Sequence, residues 1–472
     1  MLRPSGCANS PDCAQDGLFG ESMTRLELRS TAALAAVFAA RLFGLFMVYP
    51  VFASYASHLR GATPVMIGTA LGAYGLTQGL LQIPYGLVSD HVGRKPVIAA
   101  GLVLFATGSI VAALAHSIGG MTIGRTLQGT GAVGSVVLAT VADLTREEVR
   151  TRAMAMVGMT IGLSFAVAIV LGPVFAGLLG VPGIFWLTAL LAALGIIITY
   201  GIVPGQVQAR RHLDTETIPR LLGGVVGNAQ LVRLDAAIFF LHLMLTASFL
   251  AVPLILSNAL HIPAGRDWIV YLPVLAVSIV LMVPAILVAE KGGRMKEVFL
   301  TTIMLLAASQ LALLLWPSDP IVIALALIGF FTGFNIMEAS LPSLITKIAP
   351  ANSKGTATGV FSSAQFLGIF AGGAVGGLAS AIGGTSGVFA FTLIAALLWL
   401  GIAAPMRRPS HYSSYLTRIG VTGPGAIADL TSRLKRAPGV VDAVIAADEG
   451  VAYLKIDRTC FDPDEVARIV SV

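Results

Sequence analysis

Charge is what this chain has least of. Of its 472 residues, 11% are charged and 56% are hydrophobic, whereas a soluble domain carries roughly 25% charged residues. So much apolar surface cannot be hidden in a water-soluble shape, which excludes a soluble enzyme or binding module and leaves a polytopic membrane protein. Cysteine is scarce as well: Cys7, Cys13 and Cys460 are the three present. They imply no pairing and form no Cys-x-x-Cys, so neither a disulfide scaffold nor a thiolate metal site is expected. The nucleotide-binding pattern Gly-x-x-x-x-Gly-Lys-[Ser/Thr] is missing, which removes ATP as an energy source. There is no His/Cys/Asp cluster with metal spacing and no nucleophile beside a base, so a membrane enzyme has no support and no cofactor is expected. The net charge of +6 is spread over short connections rather than gathered in a patch, which argues against nucleic acid. Residues 1–22 lack an apolar core and do not form a signal peptide. Residues 1–28 are expected to be a disordered leader, with Met23 an alternative start.

What the chain has in abundance is apolar runs of about 20 residues, the length of a spanning helix. They lie near 31–57, 66–88, 97–116, 119–142, 153–180, 183–203, 234–258, 268–289, 298–316, 319–346, 355–382 and 385–405. The fold class expected is all-α and polytopic, with about twelve transmembrane helices in two pseudo-symmetric six-helix bundles. The runs do not alternate polar with apolar, so a closed barrel is excluded. Lys and Arg gather after the even-numbered helices, as Arg94 and Lys95, then Arg146, Arg150 and Arg152, then Arg210 and Arg211. By the positive-inside rule both termini face the cytoplasm. The expected division is 29–205 for the first bundle, 206–233 for a cytoplasmic linker and 234–407 for the second bundle. Residues 416–472 have a soluble composition and a β-α-β-β-α pattern, which reads as a small α+β ferredoxin-like cytoplasmic domain. Its first loop carries no Cys or His, against metal binding; stabilisation, self-association and ligand sensing all stay open for it.

Between the second and third runs stands GLVSDHVGRKP, with Gly86, Asp90, Gly93, Arg94 and Lys95. A second copy, ILVAEKGGRMK, places Glu290, Gly293 and Arg294 in matching positions of the other half. Gly86 is expected to allow close helix approach and Gly93 a tight turn. Asp90, at the membrane edge, needs a partner, for which Arg94 and a helix N-terminus are the candidates. Repeated halves of this kind place a transporter's substrate path at the repeat interface.

These residues resemble the signature of the major facilitator superfamily between helices two and three. Arg125-Thr-Leu-Gln128-Gly129 resembles its R-x-x-x-G motif on helix four. Gly172-Pro173, with Ala176 and Gly177, resembles the helix-five motif of its drug/proton antiporters, although Ala176 replaces a glycine. LTQGLLQIPYGLVSD, DLTREEVRTRAMA, FNIMEASLPSLITKIAP and YLKID resemble its YajR-type branch, which carries a ferredoxin-like tail. His91 departs from the usual Arg or Lys at its place. The resemblance implies that Asp90, Arg94 and Asp143 form a charge relay at the cytoplasmic face. It also implies that Asp90 caps helix eleven in the outward-open state.

Ionisable groups within the spans are functional candidates by default. Arg41, Arg125, His242 and Glu338 are such groups. A carboxyl whose surroundings alternate between wet and dry can take up and release a proton, and an imidazole titrates near neutrality. Glu338 and His242 are therefore the proton-coupling candidates; the other reading pairs Glu338 permanently with a base or a backbone group. Arg41, Gln78, Gln82, Arg125, Gln128, Asn335 and Gln365 are the candidates for a polar cavity lining, though each suits an interhelical hydrogen bond equally well. Arg125 also suits a purely organising role. Tyr49, Phe165 and Phe249 serve as cavity wall or as packing.

The leading functional expectation is a proton-coupled secondary transporter in a bacterial inner membrane, an antiporter exporting a small organic compound. Its partners would be the lipid bilayer, protons, an unknown small-molecule substrate and, through the tail, a second copy of the chain. A transporter-fold receptor or scaffold signalling through its tail stands as an alternative, as does an uncoupled uniporter.

Overall fold

The computed structural model describes residues 22–205, 219–263, 265–290, 294–350, 353–406, 412–419, 424–446, 450–457 and 460–470. Helix α1 (Arg25–Met47) and α2 (Tyr49–Ala56) form one crossing, interrupted at Val48. Then follow α3 (Pro64–Val92), α4 (Arg94–Ala113), and α5 (Ile118–Thr130) with α6 (Gly134–Leu144) as one crossing. Helix α7 (Glu147–Gly201) closes the first half. After the short α8 (Leu222–Val226) come α9 (Ala229–Asn258), α10 (Trp268–Glu290), α11 (Met295–Leu315), α12 (Pro320–Ile348) and α13 (Lys354–Ala403).

Among the described residues, nine helical spans are long and apolar enough to cross a membrane. Two of them, with 50 residues each, exceed what one crossing needs. They break at Gly180 (φ 70°) and at Gly383 and Gly384 (φ 59° at the latter), so each crosses twice. Helix α3 is not among the nine, because its glycines and two glutamines dilute its hydropathy, yet its 29 residues complete about twelve crossings in two sets of six.

Helix starts follow local chemistry. Thr24 and Glu27 form a reciprocal capping box, which starts α1 at Arg25. Arg25 to Leu28, placed in the leader by the sequence, are therefore the first turn of this helix. Asn228 caps α9 with its side chain, and α8 precedes it, so the segment read as linker 206–233 already holds helix at its end.

The tail is built as β1 (Tyr412–Arg418), α14 (Pro424–Arg436), β2 (Val440–Ala446), β3 (Val451–Asp457) and α15 (Pro463–Val470). The antiparallel sheet has the order β1-β3-β2, and both helices cover it around Leu430, Leu434, Leu454, Ile456 and Val466. Strand β1 begins earlier than the expected Leu416, because Tyr412 pairs with Asp457 and Arg418 with Val451.

Candidate functional site

The signature turn joins α3 to α4. Gly93 carries φ 101°, a conformation that a Cβ disfavours, and it lets α4 begin immediately at Arg94. Arg94 is buried and holds three acceptors from two elements. Its Nε donates to Asp143 Oδ2 at 2.8 Å and its Nη1 to Ser89 Oγ at 2.7 Å and to Asp90 Oδ1. Asp143 lies at the end of α6 with its side chain 0% exposed, while that of Asp90 is 28% exposed. Lys95 turns the other way: its Nζ donates to the Val203 carbonyl at 2.5 Å, beyond the end of α7. A cation at a helix C-terminus satisfies orphan carbonyls there. Ser89 and this use of Lys95 were not foreseen from the sequence. His91 stays exposed, with its Nδ1 3.0 Å from the Leu87 carbonyl.

Two expectations for this turn take a definite form. Gly86 is not a tight contact point, since a Cβ there would meet Ser135 at an ordinary 3.6 Å. Of the two candidate partners of Asp90, Arg94 is the one that holds it in this conformation. Of the second-half motif, Gly293 and the side chain of Glu290 lie outside the described residues, and Arg294 stands exposed at the N-cap of α11.

The two halves meet most closely away from this turn. Gly68, Gly72, Gly75 and Gly79 put one face of α3 directly against the backbone of α13, where Gly373 and Gly377 face it. A Cβ on Gly68 would stand 2.7 Å from the Gly377 Cα, and one on Gly373 2.8 Å from the Gly72 nitrogen. The other glycines, Gly368 and Gly372, abut carbonyls of Phe239 and Leu243 on α9. Without side chains, backbones in lipid approach far enough for dense van der Waals contact. The helix-five motif serves the same end of the molecule. Gly172 seats against the Met47 carbonyl at the α1/α2 break, and a Cβ on Gly177 would stand 3.5 Å from the Cα of Gly265 in the other half. Between these contacts aromatic rings fill the centre: Tyr49 stacks on Phe249 at 5.5 Å and Phe165 on Phe334 at 5.1 Å. The Tyr49 hydroxyl also stands 3.4 Å from Thr246 Oγ1. Both stacked pairs are packed at the centre between the halves.

This close contact gives the first prediction. Gly373→Ala should keep the far end from closing. Thr246, now fully buried, would be exposed there: in a Thr246→Cys background, labelling at that position by an impermeant thiol reagent should rise roughly tenfold, the effect of about 1.4 kcal/mol.

On the signature side of the aromatic stacks the candidate polar residues fall into two groups. In the second half, Gln365 of α13 joins His242 of α9 to Glu338 of α12. Its Nε2 lies 2.9 Å from His242 Nε2 and 3.4 Å from Glu338 Oε1. Glu338 Oε2 is 3.8 Å from His242 Nε2 and has no hydrogen-bond partner among the described residues. His242 Nδ1 lies 3.2 Å from the Ile238 carbonyl, so it carries the proton there and leaves Nε2 to accept from Gln365. The Glu338 side chain is 30% exposed although it sits deep within α12. Asn335, one turn away, leaves its amide nitrogen unpartnered among the described residues.

In the first half, Arg41 donates to Gln78 Oε1, and Gln78 Nε2 donates to Gln82 Oε1 at 2.8 Å. Arg125 Nη1 donates to Gln128 Oε1 at 2.9 Å and its Nη2 to the Leu71 carbonyl at 3.4 Å, while Gln128 Nε2 donates to Ser109 at 2.8 Å. The sequence pointed to these arginines and amides but not to Ser109, and it could not divide them, since three-dimensional pairing across helices leaves no linear signal.

The tail touches the end of α12. Lys455 of β3 donates to the carbonyl of Ile348, the last residue of α12, at 3.1 Å. Burial holds its ammonium below the ordinary lysine pKa. Lys455→Met should release the tail, read as several-fold faster amide exchange in β1 and β3 with the melting of the membrane part unchanged.

Comparison with known proteins agrees with this geometry. The family model "Major Facilitator Superfamily" matches residues 34–226 and 234–443. The inner membrane transport protein YajR of Escherichia coli K12 is 40% identical over 455 residues, covering 95% of this chain and 98% of that one. The uncharacterized transporter BU466 of Buchnera aphidicola (from Acyrthosiphon pisum) is 32% identical over 355 residues, 74% of this chain and 90% of its own length. Among solved structures, the human organic anion transporter MFSD10 superposes with a TM-score of 0.60 at 19% identity, over 80% of this chain and 99% of that one, a likeness of fold.

Proposed function

This chain belongs to the major facilitator superfamily, and from that premise we propose that it is a proton-coupled antiporter exporting a small organic compound. As a member it is a transporter and not an enzyme. The observation that carries the finer reading is the Glu338–Gln365–His242 group: an acid and an imidazole 3.8 Å apart, with Glu338 partly exposed within the membrane span. Such a pair can hold a proton on either member, and Gln365 can turn its amide to suit each case. Similarity to an inner membrane transport protein of Escherichia coli supports a place in a bacterial inner membrane, and the Lys/Arg distribution supports cytoplasmic termini.

In this reading the conformation is inward-facing. The far end is shut by the glycine contact and the aromatic stacks, and Asp90 is held by Arg94. Closure of the signature end would bring the start of α13 within reach of Asp90, where an anion is favoured by the helix dipole. Alternating access then exchanges one set of contacts for the other. The test is reconstitution in liposomes with an imposed pH gradient, challenged by a panel of small organic compounds. Gradient collapse by one class of compound is expected; a gradient indifferent to every compound, with folded protein, counts against coupling.

A further inference from the structure

Arg41 and Arg125 sit within the first bundle, 2% and 1% exposed. Between Arg29 and Ala142 the sequence holds one acid, Asp90, and Asp90 is taken by Arg94. From Val149 to Gly205 there is none. No carboxylate pairs with either arginine among the described residues. Each is held by neutral amides and ring faces instead. The Arg41 guanidinium lies 5.6 Å from the Tyr74 ring and 5.2 Å from that of Phe105, and Arg125 approaches Tyr74 from its own side at 5.3 Å. Among the described residues Arg41 Nε and Nη1, Arg125 Nε and the Tyr74 hydroxyl have no hydrogen-bond partner of good geometry.

Two buried cations without a counter-ion are costly, and cation–π contacts offset only part of the cost. Unused N–H groups at both guanidiniums add to it. A guanidinium fork fits a planar oxyanion better than any other ligand. The amides of Gln78 and Gln82 continue the polar chain from Arg41 along α3 in the direction of the Asp90 turn.

Resting on the transport reading above, we propose that the substrate is an organic anion whose oxyanion group, a carboxylate or a phosphate ester, lodges between Arg41 and Arg125 beside Tyr74. While the site is empty the guanidiniums collapse onto the Tyr74 and Phe105 rings. With substrate present the same groups turn their free N–H bonds to it.

Thermal unfolding of the full-length protein in detergent tests this, with benzoate, phenyl phosphate and the neutral benzamide as probes at constant ionic strength. Benzoate or phenyl phosphate should raise the melting temperature by about 4 °C at saturation, and benzamide should not. Which of the two anions acts distinguishes carboxylate from phosphate ester. Arg41→Met and Arg125→Met should abolish the shift, and Arg41→Lys, which keeps the charge without the fork, should weaken it. Equal shifts from benzoate, phenyl phosphate and benzamide, no shift from either anion, or a shift that survives in both methionine variants would overturn the assignment. The assay reads no proton movement, so failure of proton coupling would leave this result standing, and the reverse holds equally.

Discussion

Glu338→Gln should lower proton-driven exchange by roughly two orders of magnitude while leaving the folded protein intact. The side chain is isosteric, and Glu338 Oε2 has no hydrogen bond to lose among the described residues. Gln365 can still donate to the remaining oxygen. What disappears is the one acid that faces His242. With neutral His242 donating from Nδ1 to Ile238 and accepting at Nε2 from Gln365, a proton arriving on the imidazole must displace the Gln365 donor. The displaced amide and the new N–H then both point toward Glu338, 3.8 Å away. In the glutamine variant no carboxylate is there to stabilise the imidazolium. Substrate counterflow without a proton gradient needs no net protonation and should persist. Measuring both fluxes in one proteoliposome preparation separates the cases: equal loss of both would assign Glu338 to substrate binding, and undiminished gradient-driven flux would remove it from coupling altogether. Gln365→Leu, which leaves acid and imidazole in place, should cost less.

Crossings and tail were readable from the sequence because both leave linear signals. Runs of apolar residues give span and count, and the β-α-β-β-α alternation gives the tail. Helix α3 shows where the signal thins: a hydropathy window passes over it, yet its glycines at 68, 72, 75 and 79 recur at helical spacing and describe one face. The capping box at Thr24 and Glu27 is also a linear pattern, but it was passed over, and it moves the first helix to Arg25 out of the expected leader. The site was legible as a set of residues and not as an arrangement. Gln365 and His242 are 123 positions apart, and nothing in a linear pattern says that one amide will stand between an acid and an imidazole. Lys95 at the Val203 carbonyl and Lys455 at the Ile348 carbonyl are long-range helix-end contacts of the same kind. Arg94 was legible as a partner of Asp90; which of its two candidate partners holds Asp90 was not, since that belongs to a conformation rather than to a sequence.

Arg94→Met should destabilise the protein by about 3–5 kcal/mol, the largest stability effect expected of any single change here. The cause is less the lost attraction than the group left behind. Asp143, with its side chain wholly buried, would remain as a carboxylate without its principal partner, and Ser89 would lose its donor. Arg94→Lys should recover part of this loss, because a single ammonium cannot serve acceptors on α3 and α6 with the geometry of a fork. Asp90→Asn should cost far less, since that end of the cluster is partly wet and solvent screens it. The double variant Arg94→Met, Asp143→Leu should regain much of the stability, as buried ion pairs often tolerate replacement by apolar residues of similar volume. Thermal unfolding in detergent ranks the four. An Arg94→Met protein melting with the parent would mean that the other contacts of Asp143 suffice to hold it, and the relay would lose its organising cation. If the ranking holds, a rescued double variant becomes the sharper probe of function. It would be folded but without Arg94 to hold Asp90, so Asp90 would be free to engage the start of α13. Under alternating access that variant should rest with its signature end closed, and Thr246→Cys, buried in the parent, should label from the far side.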